Sequence, residues 1–89
     1  MKTLFYMGRN DQNLSGVSWK IWKIKREGKR LTTSWGPAEV NRRRQVVAKY
    51  PLQSRSWTFR TEQAAREDER RRIREKLNGG YERTPKRAR

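Results

Sequence analysis

The sequence predicts an α+β fold: an antiparallel sheet of about four to five strands with one C-terminal helix packed on one face. Three observations point there. Short segments of alternating apolar residues are separated by glycine, proline and asparagine over the first two thirds of the chain. One uninterrupted helical segment follows Thr61, with opposite charges four residues apart. With 89 residues, the chain has room for a single modest core.

The elements follow in order. Residues 3–7 predict a short strand, and residues 8–16, rich in Asn, Asp and Ser, predict a polar loop. Residues 17–26 carry Trp19, Ile21, Trp22 and Ile24 among lysines. Strict alternation puts Trp19 and Ile21 on one face and Trp22 and Ile24 on the other. Such a segment is a strand with a bulge or one with two partly covered faces, and the pattern does not choose. Glu27-Gly28-Lys29 predicts a hairpin turn, after which Leu31, Thr33 and Trp35 alternate until Gly36-Pro37 ends the strand. Residues 38–44 predict a basic loop, residues 45–50 a strand closed by Pro51, and residues 55–59 a last strand with Trp57 and Phe59 on one face.

Thr61 is a good helix N-cap, with Glu62 just inside it. Ala65, Ile73 and Leu77 give a thin apolar stripe. Glu62/Arg66, Glu67/Arg71, Asp68/Arg72 and Arg71/Glu75 are expected to pair across the exposed faces. Asn78-Gly79-Gly80-Tyr81 reads as a C-cap, with Tyr81 making the hydrophobic contact behind it. Residues 1–82 are therefore expected to form one domain, and residues 83–89 a basic, disordered tail.

Charge is the strongest compositional signal. Twenty-four Lys and Arg against nine Asp and Glu give a formal net charge of +15, spread through segments predicted to fold. Self-repulsion on that scale disfavours the compact state, and a polyanion relieves it. The chain has no His and no Cys, so nucleophilic catalysis and thiolate or imidazole metal sites lose their usual groups. The acids sit mostly on the helix as partners of arginines. An enzyme, a metal and a cofactor are all unexpected. No apolar run approaches the ~20 residues of a membrane helix, and no wide apolar helix face suits a membrane surface. The expected setting is intracellular: cytoplasm or nucleoid, or a eukaryotic nucleus.

Arg42-Arg43-Arg44 is the sharpest binding candidate, since guanidinium forks match phosphate bidentately. The bland alternative is a solvated charge run. Lys20, Lys23, Lys25, Arg26, Lys29 and Arg30 form a second basic stripe, in which Lys23 and Lys25 share a strand face and can track phosphates. Lysines protecting an edge strand are the alternative. Lys49 and Arg55, on the two strands that follow, complete the set. Trp22 and Trp57 are expected to face the helix, while Trp19 is left open. Trp35, beside Gly36 at a strand end, lies between a core role and one in which a flat ring meets a sugar or base. Arg66, Arg70 and Arg74 share a helix face and form a weaker contact surface.

At Trp35-Gly36 the chain resembles a WGR domain, the small module of DNA-dependent poly(ADP-ribose) polymerases and many bacterial proteins. The matching features run from Trp19 to Tyr81. They are the strand Trp19-Lys20-Ile21-Trp22-Lys23-Ile24, a hairpin into Thr33-Ser34-Trp35-Gly36, Gln45 opening the next strand and Trp57-Thr58-Phe59. Thr61-Glu62-Gln63-Ala64-Ala65 then opens a helix that Lys76-Leu77-Asn78-Gly79-Gly80-Tyr81 closes. The resemblance implies a DNA-binding module in which Trp35 lies at the binding surface, held by a tight turn at Gly36. Pro37 stands where the family has arginine, and Ala38-Glu39-Val40-Asn41-Arg42-Arg43-Arg44 replaces a glycine-bearing loop. Only Trp35 and Gly36 therefore carry over from the signature.

The expected partner is DNA, met through phosphates with little base readout, because the one helix is salt-bridged rather than built to read bases. RNA serves the same phosphate contacts. An acidic partner protein is the rival.

Overall fold

The computed structural model describes residues 1–9 and 16–84. Over these the chain is α+β, an antiparallel five-stranded sheet with one C-terminal helix. The elements are β1 (Lys2–Arg9), β2 (Val17–Glu27), β3 (Arg30–Val40), β4 (Val46–Ala48), β5 (Gln53–Thr58) and α1 (Glu62–Asn78). β1, β2 and β3 are neighbours in that order. The outer edge of β3 is shared, with β5 along residues 30–35 and β4 along residues 38–40. Most of the polar loop expected over residues 8–16, and residues 85–89 of the expected tail, lie outside the described residues.

β2 settles the choice its pattern leaves open. Its register to β3 runs from Trp19↔Ala38 to Glu27↔Arg30 without a bulge, and both of its faces are covered. On one face Leu4, Trp22, Ile24 and Leu31 pack against Ile73 of the helix, with Trp35, Phe59, Leu77 and Tyr81 around them. On the other, Trp19 and Ile21 meet Ala38 and Val46, and Phe5, Val40, Ala48 and Leu52 close over them. β4 lies against β2 although the two are not hydrogen-bonded neighbours, so the sheet curls over this second cluster. Leu4, Ile24 and Leu31 are the largest fully buried side chains, each contributing about 1.5–3 kcal/mol by burial.

β3 does not end at Gly36-Pro37; it continues to Val40. A residue's N–H and C=O point to the same side of a strand, and the Pro37 carbonyl accepts from the Lys49 N–H at 3.0 Å. Its donor-less nitrogen therefore faces the outer edge, where β5 has ended and β4 is beginning, so no ladder bond to β2 is lost. Gly36 has no positive φ and makes no tight turn. Its missing side chain matters instead for packing, since a Cβ there would lie 3.0 Å from Leu52 Cδ2. The basic loop expected over residues 38–44 shrinks to a hairpin tip. β4 covers three residues rather than the six of 45–50, and β5 starts at Gln53. Phe59 lies just beyond β5, its N–H bound to Lys29 O at 2.8 Å.

Thr61 caps α1, its hydroxyl accepting from the Ala64 N–H at 3.0 Å. The left-handed residue at the other end is Gly80, at φ 100°, and Tyr81 N–H closes the cap on Lys76 O at 3.0 Å. Three of the four expected helix pairs form: Glu62/Arg66, Asp68/Arg72 and Arg71/Glu75. Glu67 does not reach Arg71, whose guanidinium is taken by Asp68 and Glu75; Glu67 accepts from Gln63 instead. Arg26 ties β2 to the helix through Glu62 at 3.3 Å and Glu69 at 3.4 Å. After the cap the chain returns to the β1 edge, where Phe5 and Glu82 exchange two backbone bonds of 2.8 and 2.7 Å. No helix among the described residues is long and apolar enough to cross a membrane.

Candidate nucleic-acid interface

Strand register places aromatic and cationic side chains side by side beneath the helix. Trp22 pairs with Trp35 and Thr33 with Arg55, while Leu31 pairs with Trp57 on the same face. The helix crosses this face with Arg72 over Trp57 of β5 and Lys76 near Trp22 of β2, Glu75 lying in the same lining. Together they enclose a hollow of about 370 Å³ lined by Trp22, Thr33, Trp35, Arg55, Trp57 and the three helix residues.

The cations here differ in their commitments. Arg72 stacks on Trp57, 3.9 Å from the ring centre, and its Nε bonds Asp68 at 2.5 Å. Arg55 lies 5.3 Å from the same ring on its strand side. Lys76 approaches Trp22 at 5.8 Å and Tyr81 at 5.1 Å. Among the described residues neither Arg55 nor Lys76 has a carboxylate within ion-pair distance. Glu75, the one acid in the hollow, is held by Arg71. Burial pushes the Asp68 carboxyl up, but hydrogen bonds from Arg72 and Arg71 outweigh it and hold the group below its ordinary value. Asp68 and Glu75 in turn raise Arg71. Burial, with Tyr6 nearby, pushes the Tyr81 phenol up.

Trp35 divides this hollow from a second of about the same size, 370 Å³, whose lining includes Ser18, Lys20, Pro37, Gln53 and Tyr81. The ring is half-buried, with one side against the helix-side core and the other toward the two openings. It is thus neither a fully buried core residue nor a free surface ring.

The other sequence-predicted residues divide among three places. Arg55 joins Trp35 in the first hollow. Arg42, Arg43 and Arg44 form the tip of the β3–β4 hairpin, about 17 Å along the strand from Trp35 at ~3.3 Å per residue. That tip is built, not loose. The Asn41 side-chain oxygen accepts from the Arg43 and Gln45 N–H groups, both at 2.9 Å, and Asn41 N–H bonds Gln45 O at 2.9 Å. Arg44 takes the left-handed conformation at φ 63° that closes such a three-residue loop. All three arginine side chains are exposed, and none forms an ion pair among the described residues. Lys49 is exposed at the start of the β4–β5 connection, its ammonium 5.8 Å from the Tyr50 ring.

Lys23 and Lys25 do share a strand face, and it is the face away from the helix, opposite Trp35 and Arg55. The basic stripe expected from Lys20 to Arg30 is accordingly split. Lys20 leans toward Tyr6 at 5.7 Å on the helix side, and Arg26 is spent on the helix acids. Arg72 and Lys76 are the site residues that the sequence reading misses. Their signal is positional: both lie on the same side of Ile73 on the helix wheel, so they border the buried stripe along one edge. Among the described residues no group of three or more His, Cys, Asp or Glu is placed to hold a metal ion.

No family model, curated protein or solved structure matches this chain.

Proposed function

We propose that this chain is a non-catalytic, intracellular domain that binds DNA mainly through its phosphates, with little base readout. The observation that carries this reading is the hollow in which Trp35, Trp22 and Trp57 stand beside Arg55 and Lys76, two cations that form no ion pair among the described residues. A phosphate neutralises such cations at a lower desolvation cost than a deeply buried site would impose, and a tryptophan edge or face accepts a sugar or an unstacked base. The WGR resemblance supports the same surface, because it assigns Trp35 to the DNA side. The rigid arginine tip then meets the backbone further along, as forks suited to bidentate phosphate contacts. The non-catalytic reading rests on a chain without His or Cys, in which four of the helix acids, Glu62, Asp68, Glu69 and Glu75, already bind arginines.

The test is binding of labelled continuous end-blocked duplex, open-ended duplex, nicked duplex and single strand in parallel, with heparin as competitor. Tighter binding wherever bases can unstack, surviving a heparin level that removes non-specific contacts, is the expected result. Equal, weak affinity for every polyanion would instead favour an acidic partner protein.

A further inference from the structure

The face of the sheet away from the helix carries a second, separate set of basic and hydroxyl side chains. Register lays them in rows across the strands. Thr3, Lys23, Ser34 and Ser54 form one row, Lys25, Thr32 and Ser56 the next, and Glu27, Arg30 and Thr58 the last. Thr32 and Ser56 share a hydroxyl–hydroxyl bond of 2.8 Å, which ties β3 to β5 in the middle of the patch. Lys25, Arg30, Ser54, Ser56 and Thr58 are exposed. The acid in these rows is Glu27 at the hairpin end, opposite Arg30 and 3.4 Å from Lys25 with both side chains at least half exposed, and such a pair binds weakly. An outward sheet face is ordinarily polar with mixed charge. At this end of the face, away from the apolar cluster, cations and hydroxyls outnumber the single carboxylate of Glu27, and theirs is the donor chemistry that meets phosphate oxygens.

We infer that the protein bridges two nucleic-acid segments, one on the helix side and one on this hydroxyl–lysine face. The inference rests on the DNA-binding reading above and adds a second site to it. The two sets project from opposite sides of one sheet in a molecule whose shorter axes are 25 and 22 Å. Duplex DNA has a persistence length of roughly 150 base pairs, so one duplex does not wrap a body this thin to reach both sides. Two segments held apart by the protein's thickness are about three Debye lengths apart at physiological salt, so their mutual repulsion is largely screened. The occupant of the second face is thus another stretch of phosphate backbone. Occupying one face leaves the charges of the other unneutralised.

The experiment immobilises one duplex, saturates it with the full chain, washes, and adds a fluorescent duplex of unrelated sequence. The wild type is expected to capture the second duplex, and the mass of the soluble complex in excess DNA should correspond to one protein and two duplexes. The variant Lys23→Gln/Lys25→Gln/Arg30→Gln should hold the first duplex within about twofold yet lose roughly tenfold in second capture, since it removes up to three phosphate contacts. The charge-keeping variant Lys23→Arg/Lys25→Arg/Arg30→Lys should restore capture. Three results would overturn the inference: one duplex per protein at saturation, undiminished capture by the glutamine variant, or complexes holding two proteins for two duplexes. Failure to bind even the first duplex would show up separately, as failure of the DNA-binding reading itself.

Discussion

The Arg72 guanidinium lies 3.9 Å from the centre of the Trp57 ring, clamping the helix onto the edge strand β5. Arg55 stands over the same ring at 5.3 Å, without an ion-pair partner among the described residues. One indole therefore meets both a helix arginine bound to Asp68 and an arginine with no ion pair among the described residues. Arg72→Ala should cost about 1 kcal/mol, since it removes the stacked cation and one partner of Asp68. Arg55→Ala should change stability by no more than about 0.5 kcal/mol while weakening DNA binding. Urea unfolding and duplex titration of the two variants check the division, and equal stability losses would contradict it.

Asp68 makes stability depend on acid. Its folded-state carboxyl titrates below its unfolded value, so its contribution is present in full above about pH 4 and is lost as the pH falls through the depressed value. The wild type should lose stability below about pH 4 more steeply than Asp68→Asn, measured by thermal melts from pH 7 to pH 2. Parallel acid limbs for the two proteins would remove Asp68 from the account.

The hairpin tip separates display from strain. Arg44 pays for a left-handed backbone at φ 63° that glycine adopts freely. Arg44→Gly should therefore raise stability by up to roughly 1 kcal/mol while lowering DNA affinity. A lower melting temperature together with unchanged affinity would show that the arginine is held for its fold rather than for its charge.

Trp35 is half-buried, so truncation should cost less than the ~3–5 kcal/mol of a buried indole. We expect Trp35→Ala to melt only modestly lower and to lose preference for nicked or open-ended over end-blocked duplex. A full core-sized loss would make Trp35 a packing residue. An unchanged preference in a stable variant would free the ring from any role at DNA ends.

Much of the fold is legible in the sequence because its punctuation is local. Gly28, with φ 61°, marks the β2–β3 hairpin, and Thr61 and Gly80 bound the helix. What escapes local reading depends on partners. Pro37 looks like a strand end until the outer edge of β3 is seen to change partners beside it. Likewise, the doubled apolar pattern of β2 resolves only when β4 and Leu52 cover its second face. The site follows the same division. Trp35 and Arg55 are recognisable by type, and their meeting follows from register. Arg72 looks paired off with Asp68, and nothing local shows that its flat face is free to lie on Trp57. Lys23 and Lys25 are recognisable as neighbours, but the side of the sheet they occupy depends on where the helix packs.

The central claim is that folded, basic side chains bind DNA by its phosphates. It is tested most directly by the salt dependence of duplex affinity for the wild type and for Arg42→Ala/Arg43→Ala/Arg44→Ala. With about 4–6 phosphate contacts, the wild-type slope of log K against log salt should be near −4 to −5, and the triple variant should lose roughly one unit of slope per contact removed. No binding at low salt, a wild-type slope near zero, or the same slope in both proteins would contradict it.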